Sequence, residues 1–225
     1  MLDGNTLKFL IDLNFNNSKE WFENNRANYE LARDNILTVT GQLISDVSDF
    51  DPSIADAHLD PKKCITRLNR DLRFSKDKTP YKTDYFILIT KTGKNGSSAF
   101  YCLHIEPDNC FAGGGVYVPL PEQLHKIRQE IDRSFDQWKA IITSEPFKKQ
   151  FPSGIHHSGV LMKIPRGFDT DSPAADFLKM KGFVTMRNIS NKEITMKTAR
   201  ARIIDCFRDA KPLVDFLNLA MDKDL

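Results

Sequence analysis

Long apolar runs are missing from this sequence. Strictly apolar stretches such as Tyr85–Ile89 fall far short of the roughly 20 residues that a membrane helix needs. The opening Met1-Leu2-Asp3-Gly4-Asn5 has neither the basic start nor the apolar segment of a secretion signal. A soluble, cytoplasmic protein with no membrane partner is therefore expected. Cysteine is sparse as well. Cys64, Cys102, Cys110 and Cys206 show no C-x-x-C spacing and no paired histidine framework, so they read as free thiols in a reducing compartment, most of them buried. Glycine and proline, 11 of each, exclude a collagen-like chain, and neither internal repeats nor low-complexity segments occur.

The 225 residues are 40% apolar and 28% charged, values of an ordinary globular chain with ample length for a core. Net charge is only +2, yet its distribution is uneven. Residues 1–60 balance at −7, residues 61–82 at +6 and residues 181–211 at +5. Two basic segments are thus hidden in a nearly neutral protein.

Hydrophobic spacing predicts helices at both chain ends. A short helix over Thr6–Leu13 is followed by a capping box from Asn17 to Glu20. A stripe through Phe22, Tyr29, Ala32, Ile36, Val39, Leu43, Val47 and Phe50 keeps helical spacing and reads as core. The middle reads as strands, with Lys63–Asn69, Asp84–Lys91, Ser98–Glu106 and Cys110–Gly115 separated by turns at Gly93–Gly96 and Pro107–Asn109. Helices are expected over Pro121–Phe135, Asp136–Thr143 and Ser172–Met180, with strands at Gly154–Pro165 and Phe183–Asn188. From Thr195 the chain reads as helical, with Pro212 opening a new helix. The sum is an α+β fold: a single domain over residues 1–225, with a largely antiparallel sheet flanked by helices at both chain ends.

The chemistry concentrates in residues 67–82. Arg67, Arg70 and Arg73 recur at every third position, with Asp71, Phe74, Asp77, Lys78 and Tyr81 among them. Arginine offers a planar fork of donors matched to carboxylate or phosphate, and convergent basic groups under an aromatic ring commonly hold an anion. The pattern R-x-x-R-D-x-R-F followed by D-K-x-P-Y is carried by Arg67, Arg70, Asp71, Arg73, Phe74, Asp77, Lys78, Pro80 and Tyr81. With Glu20-Trp21-Phe22, Leu103–Pro107, Gly113-Gly114-Gly115, Ile127-Arg128 and Pro173–Phe183, it resembles the domain-of-unknown-function family number 2461, conserved proteins of bacteria and some fungi. That resemblance covers nearly the whole chain and implies one intact α+β domain. It implies no reaction, cofactor or catalytic residue.

Function therefore rests on the residues. The leading expectation is a pocket for an anionic small molecule, phosphorylated ligands included. Its candidate residues are Arg67, Arg70, Asp71, Arg73, Asp77, Lys78, Tyr81 and His104, with Tyr81 and His104 as proton donors or relays. The competing expectation is a structural network in which Asp71 and Asp77 neutralise Arg70, Arg73 and Lys78. A different class of reading is a nucleic-acid groove using the two basic segments with Phe74, Tyr81 and Phe183 as stacking rings; a non-catalytic interaction module is a third. Cys102, His104 and Glu106 share one strand face, but zinc sites usually draw on more than one element, so no metal is expected. The glycine triplet matches no nucleotide-binding pattern and reads as a bend or bulge. No nucleophile elbow and no zinc-protease helix occurs.

Overall fold

Several helix starts follow the side-chain oxygens that precede them. In a computed structural model, which describes residues 1–93 and 96–222, Asp3 accepts from the Asn5 N–H and opens α1 (Gly4–Phe15). Ser18 accepts from Trp21 and opens α2 (Lys19–Asn24); α3 (Arg26–Ser48) follows. Asp51 and Asp60, each before a proline, open the one-turn helices α4 (Pro52–Ala55) and α5 (Pro61–Cys64). The strands are β1 (Tyr85–Ile89), β2 (Phe100–Ile105) and β3 (Cys110–Val116). Then come α6 (Pro121–Arg133), α7 (Phe135–Thr143), α8 (Glu145–Gln150), α9 (Ala175–Leu178), β4 (Phe183–Ile189), α10 (Asn191–Thr195) and α11 (Ala199–Asp222).

The sheet has the order β1-β2-β3-β4 and is antiparallel. With half of the chain helical and 14% in strands, the α+β class holds. The β2–β3 turn at Pro107–Asn109 forms as expected, with Asp108 at a φ of 65°, a value that Asn and Asp tolerate better than most residues. Part of the Gly93–Gly96 turn lies outside the described residues.

Three expectations are corrected. Ser18, not Asn17, caps α2; the Asn17 amide instead brackets the backbone of Tyr81, donating to its carbonyl at 2.9 Å and accepting its N–H at 3.1 Å. Pro212 lies inside α11 rather than at the start of a new helix. It is exposed, so the helical carbonyl its ring leaves unserved can be met by water. The segments 63–69 and 154–165 form isolated bridges instead of strands, Ile65 to Ile87 and Asn69 to Tyr81 in the first, His156 to Val184 and Val160 to Met180 in the second.

The chain forms two compact units. The first contains Met1–Lys94, Cys102–Ala112 and Asn188–Asp205. Its core draws Leu10 and Leu13 from α1, Ile36, Leu43 and Val47 from α3, and Ile87, Ile89 and Ile105 from the strands, all nearly inaccessible. The second contains Asn95–Tyr101, Gly113–Arg187 and Cys206–Leu225. Here Trp138 is fully buried against Phe177, Phe183 and Phe216. The glycine triplet lies within β3, where a Cβ on Gly113 would sit 1.8 Å from the Thr185 carbonyl oxygen. These glycines admit the neighbouring strand. All four cysteines are buried and none forms a disulfide.

Candidate functional site

The basic block is the tip of a long excursion from the first unit. Near its base Thr66 donates its N–H to the Phe86 carbonyl and accepts the Phe86 N–H on its hydroxyl. Further out Lys82 donates to the Leu68 carbonyl, and Arg70 to the Pro80 carbonyl. Between the Thr66–Phe86 and Leu68–Lys82 pairings the outgoing chain advances two residues and the returning chain four. The surplus is a bulge at Thr83-Asp84, a device that re-aims side chains at the edge of a sheet.

Within the tip the acids answer the bases. Arg70 Nη1 donates to both the Asp77 carboxylate and the Thr79 hydroxyl. Arg73 makes a two-pronged contact with Asp71, at 3.0 and 2.6 Å. Lys78 Nζ donates to the Leu72 carbonyl at 3.0 Å. The Thr79 N–H and the Arg70 guanidinium together pull the Asp77 carboxyl down to about 2, and the Arg73 guanidinium lowers that of Asp71. These are exposed pairs, of the kind that add little to global stability; what they fix is the shape of the tip. The sign for Asp77 follows from its lowered value. Its contribution to hairpin order is complete above the ordinary 3.8 and is lost as pH falls toward about 2. Amide spectra of residues 70–80 are expected to lose dispersion across that window while core amides do not, and Asp77→Asn is expected to flatten the transition.

The eight expected site residues do not form one pocket. Arg70, Asp77 and Tyr81 line a cavity of about 390 Å³ at the foot of the hairpin, together with Asn14, Asn17, Thr79, Lys82, Thr83 and Asp84. Arg67, Asp71, Arg73 and Lys78 are exposed and do not line it. Tyr81 is not a lid. Its ring stacks on Phe22 with centroids 4.0 Å apart, and burial raises its phenol pKa, which makes it a poorer acid at neutral pH. His104 sits beside the cavity rather than in it. Sandwiched between Phe86 and Phe111, at 4.1 and 4.7 Å, it is 4% exposed. Its Nδ1 is 3.0 Å from the Asn109 carbonyl, which must accept, and its Nε2 faces Asp84 at 3.4 Å and Glu106 at 3.9 Å. Asp84 therefore connects the histidine to the cavity.

Lys82, Thr83 and Asp84 escaped the sequence reading because a two-residue bulge leaves no periodic trace. The one signal was that the basic block continues to Lys82. Of the three rings expected to stack on nucleic acid, Phe74 is 96% exposed, whereas Tyr81 and Phe183 are buried. Among the described residues no group of three or more His, Cys, Asp or Glu is placed to hold a metal ion, and no helix is long and apolar enough to cross a membrane.

No curated protein and no solved structure matches this chain. A family model does, and its match to residues 5–216 takes in the helices, the basic hairpin, the sheet and most of α11. The chain belongs to the family described as "Conserved hypothetical protein (DUF2461)".

Proposed function

We propose that the protein binds a small anionic molecule, of the phosphate-ester or carboxylate class, in the cavity at the foot of the basic hairpin. The observation that carries this reading is the state of Arg70. Its side chain is only 24% exposed, and its donors are engaged by a carboxylate and a hydroxyl of the same hairpin. The oxygens of a ligand would make the same contacts, so Asp77 acts as a built-in placeholder. Lys82 supplies a second cation, and Asn14 and Thr83 supply neutral hydrogen-bonding groups. The volume lies in the range of small-molecule sites. Asp84 is the carboxylate of this cavity that His104 backs, at 3.4 Å, and His104 is a positioning residue.

Thermal unfolding against phosphate, pyrophosphate, nucleotides, sugar phosphates and small carboxylates tests the reading. A ligand at a hundredfold over its Kd stabilises by about 2.7 kcal/mol. At roughly 2–4 °C per kcal/mol for a chain of this size, the shift is several degrees. A flat panel overturns the proposal. An oligonucleotide whose affinity falls steeply with salt, with no small anion active, would move the function to nucleic-acid binding.

A further inference from the structure

Helices α1, α2 and α3 line a second and larger cavity, of about 550 Å³ and open to solvent, in the first unit. Its chemistry differs from that of the basic hairpin. Asn25 caps α3, where asparagine is favoured, but Asn28 and Asn35 lie inside the helix, where it is a poor former, and all three line this space. Across from them stand Asn5, Phe9 and Asp12 of α1, and Trp21 of α2. Phe9 and Ala32, both 4% exposed, form an apolar floor. Trp21 lies half-buried beside Phe9, stacked at 6.0 Å, and Leu31, 71% exposed, stands on the rim.

Not all of these polar groups are available. Asn35 is consumed by the fold: its Oδ1 accepts from the Asp3 N–H and the Thr6 hydroxyl, and its Nδ2 donates to the Met1 carbonyl. Asn25 Nδ2 donates to the Trp21 carbonyl. Among the described residues the side-chain amide of Asn5, the Asn28 carbonyl oxygen and the Trp21 indole N–H have no protein partner. The one cation of the lining, Lys8, is closed on Asp12 at 2.7 Å, and Asp3 uses Oδ1 to cap α1. An anion would find no free positive charge here and two carboxylates nearby.

We infer that this cavity is a binding site for a neutral polyhydroxylated ligand, a mono- or disaccharide or a cyclic polyol. Such a ligand presents alternating donors and acceptors, which a carboxamide can meet from either end. It also has an apolar C–H face suited to the Phe9–Ala32 floor and the Trp21 ring beside it. The site is separate from the hairpin cavity in residues and in charge, and neither depends on the other.

The other tryptophan, Trp138, is fully buried in the second unit, so a ligand-induced emission change reports on Trp21. The full chain is titrated with glucose, N-acetylglucosamine, maltose, cellobiose and myo-inositol, with glucosamine as the cationic and inorganic phosphate as the anionic control. At least one neutral member is expected to give a saturable change, insensitive to ionic strength and not displaced by phosphate. Calorimetry is expected to show a loss of roughly tenfold or more in Leu31→Arg, which blocks the mouth from an exposed rim position. Asn28→Ala, also at an exposed position, provides the second variant. A flat neutral series overturns the inference. So does binding of glucosamine without its N-acetyl form, which would mark an amine site, or sugar binding that survives in both variants.

Discussion

Gly115→Ala is expected to unfold at temperatures well below the midpoint of the wild type. A Cβ at this position would lie 2.1 Å from the Phe183 carbonyl oxygen and 2.7 Å from the Val184 Cα, and the residue holds a φ of +134°. Both faults act at once. Overpacking usually costs about 1–3 kcal/mol when side chains can yield, but here the obstacle is the backbone of β4, which can yield only by giving up its pairing. A positive φ adds roughly 1–2 kcal/mol for a residue with a Cβ. The combined loss of about 2–5 kcal/mol is a large share of the 5–15 kcal/mol typical of a native domain. Chemical unfolding monitored by circular dichroism measures it. Gly41→Ala is the control of opposite sign. Its Cβ would meet nothing closer than the Pro61 ring, at 3.7 Å, and a glycine inside α3 gives way to alanine with a gain of about 0.5–1 kcal/mol. A phosphate-cradling role for the triplet predicts lost binding in a folded Gly115→Ala protein, an outcome opposed to the one expected here.

The sequence made legible whatever depends on spacing. The stripe from Phe22 to Val47 is buried as read apart from the half-buried Tyr29, the β2–β3 turn falls at Pro107–Asn109, and the family pattern runs through the chain. What stayed hidden depends on register and on choices between near-equivalent groups. Asn17 and Ser18 are both good caps; Ser18 prevails because Asn17 is committed to Tyr81, 64 residues away, a contact no local pattern encodes. Tyr81 reads as a proton donor or a stacking ring in sequence and is a buried prop in the fold, since an aromatic residue between a proline and a lysine gives no sign of which ring it will meet. The bulge that carries Asp84 to His104 is likewise invisible to a period of two. Composition located the basic block correctly, while only the three-dimensional register shows that most of its charges face away from the cavity.

Substitutions at Arg70 and Asp77 separate the two meanings of that block. In a purely structural network the partners are equivalent: Arg70→Ala and Asp77→Asn would each loosen the hairpin slightly, and neither would alter ligand binding. A placeholder breaks the symmetry. Arg70→Ala is expected to weaken the best anion of the thermal panel by roughly tenfold to a hundredfold, the range that follows from about 1.5–3 kcal/mol for a hydrogen bond to a charged group. Arg70→Lys should recover only part of this, because an ammonium cannot reproduce the planar fork. Asp77→Asn is expected to act in the other direction. The amide keeps an acceptor for the Thr79 N–H, now made at 2.9 Å, so the turn survives, but the negative charge that occupies Arg70 is gone. The exposed pair it removes is worth at most about 1 kcal/mol, and a ligand no longer has to displace it. Affinity should therefore rise, by up to about fivefold, with a shallower dependence on pH on the acid side. Calorimetric titration of the three variants measures both signs. A gain in Asp77→Asn beside a loss in Arg70→Ala is the asymmetry that a binding site requires, and matched small losses would return the hairpin to a structural role.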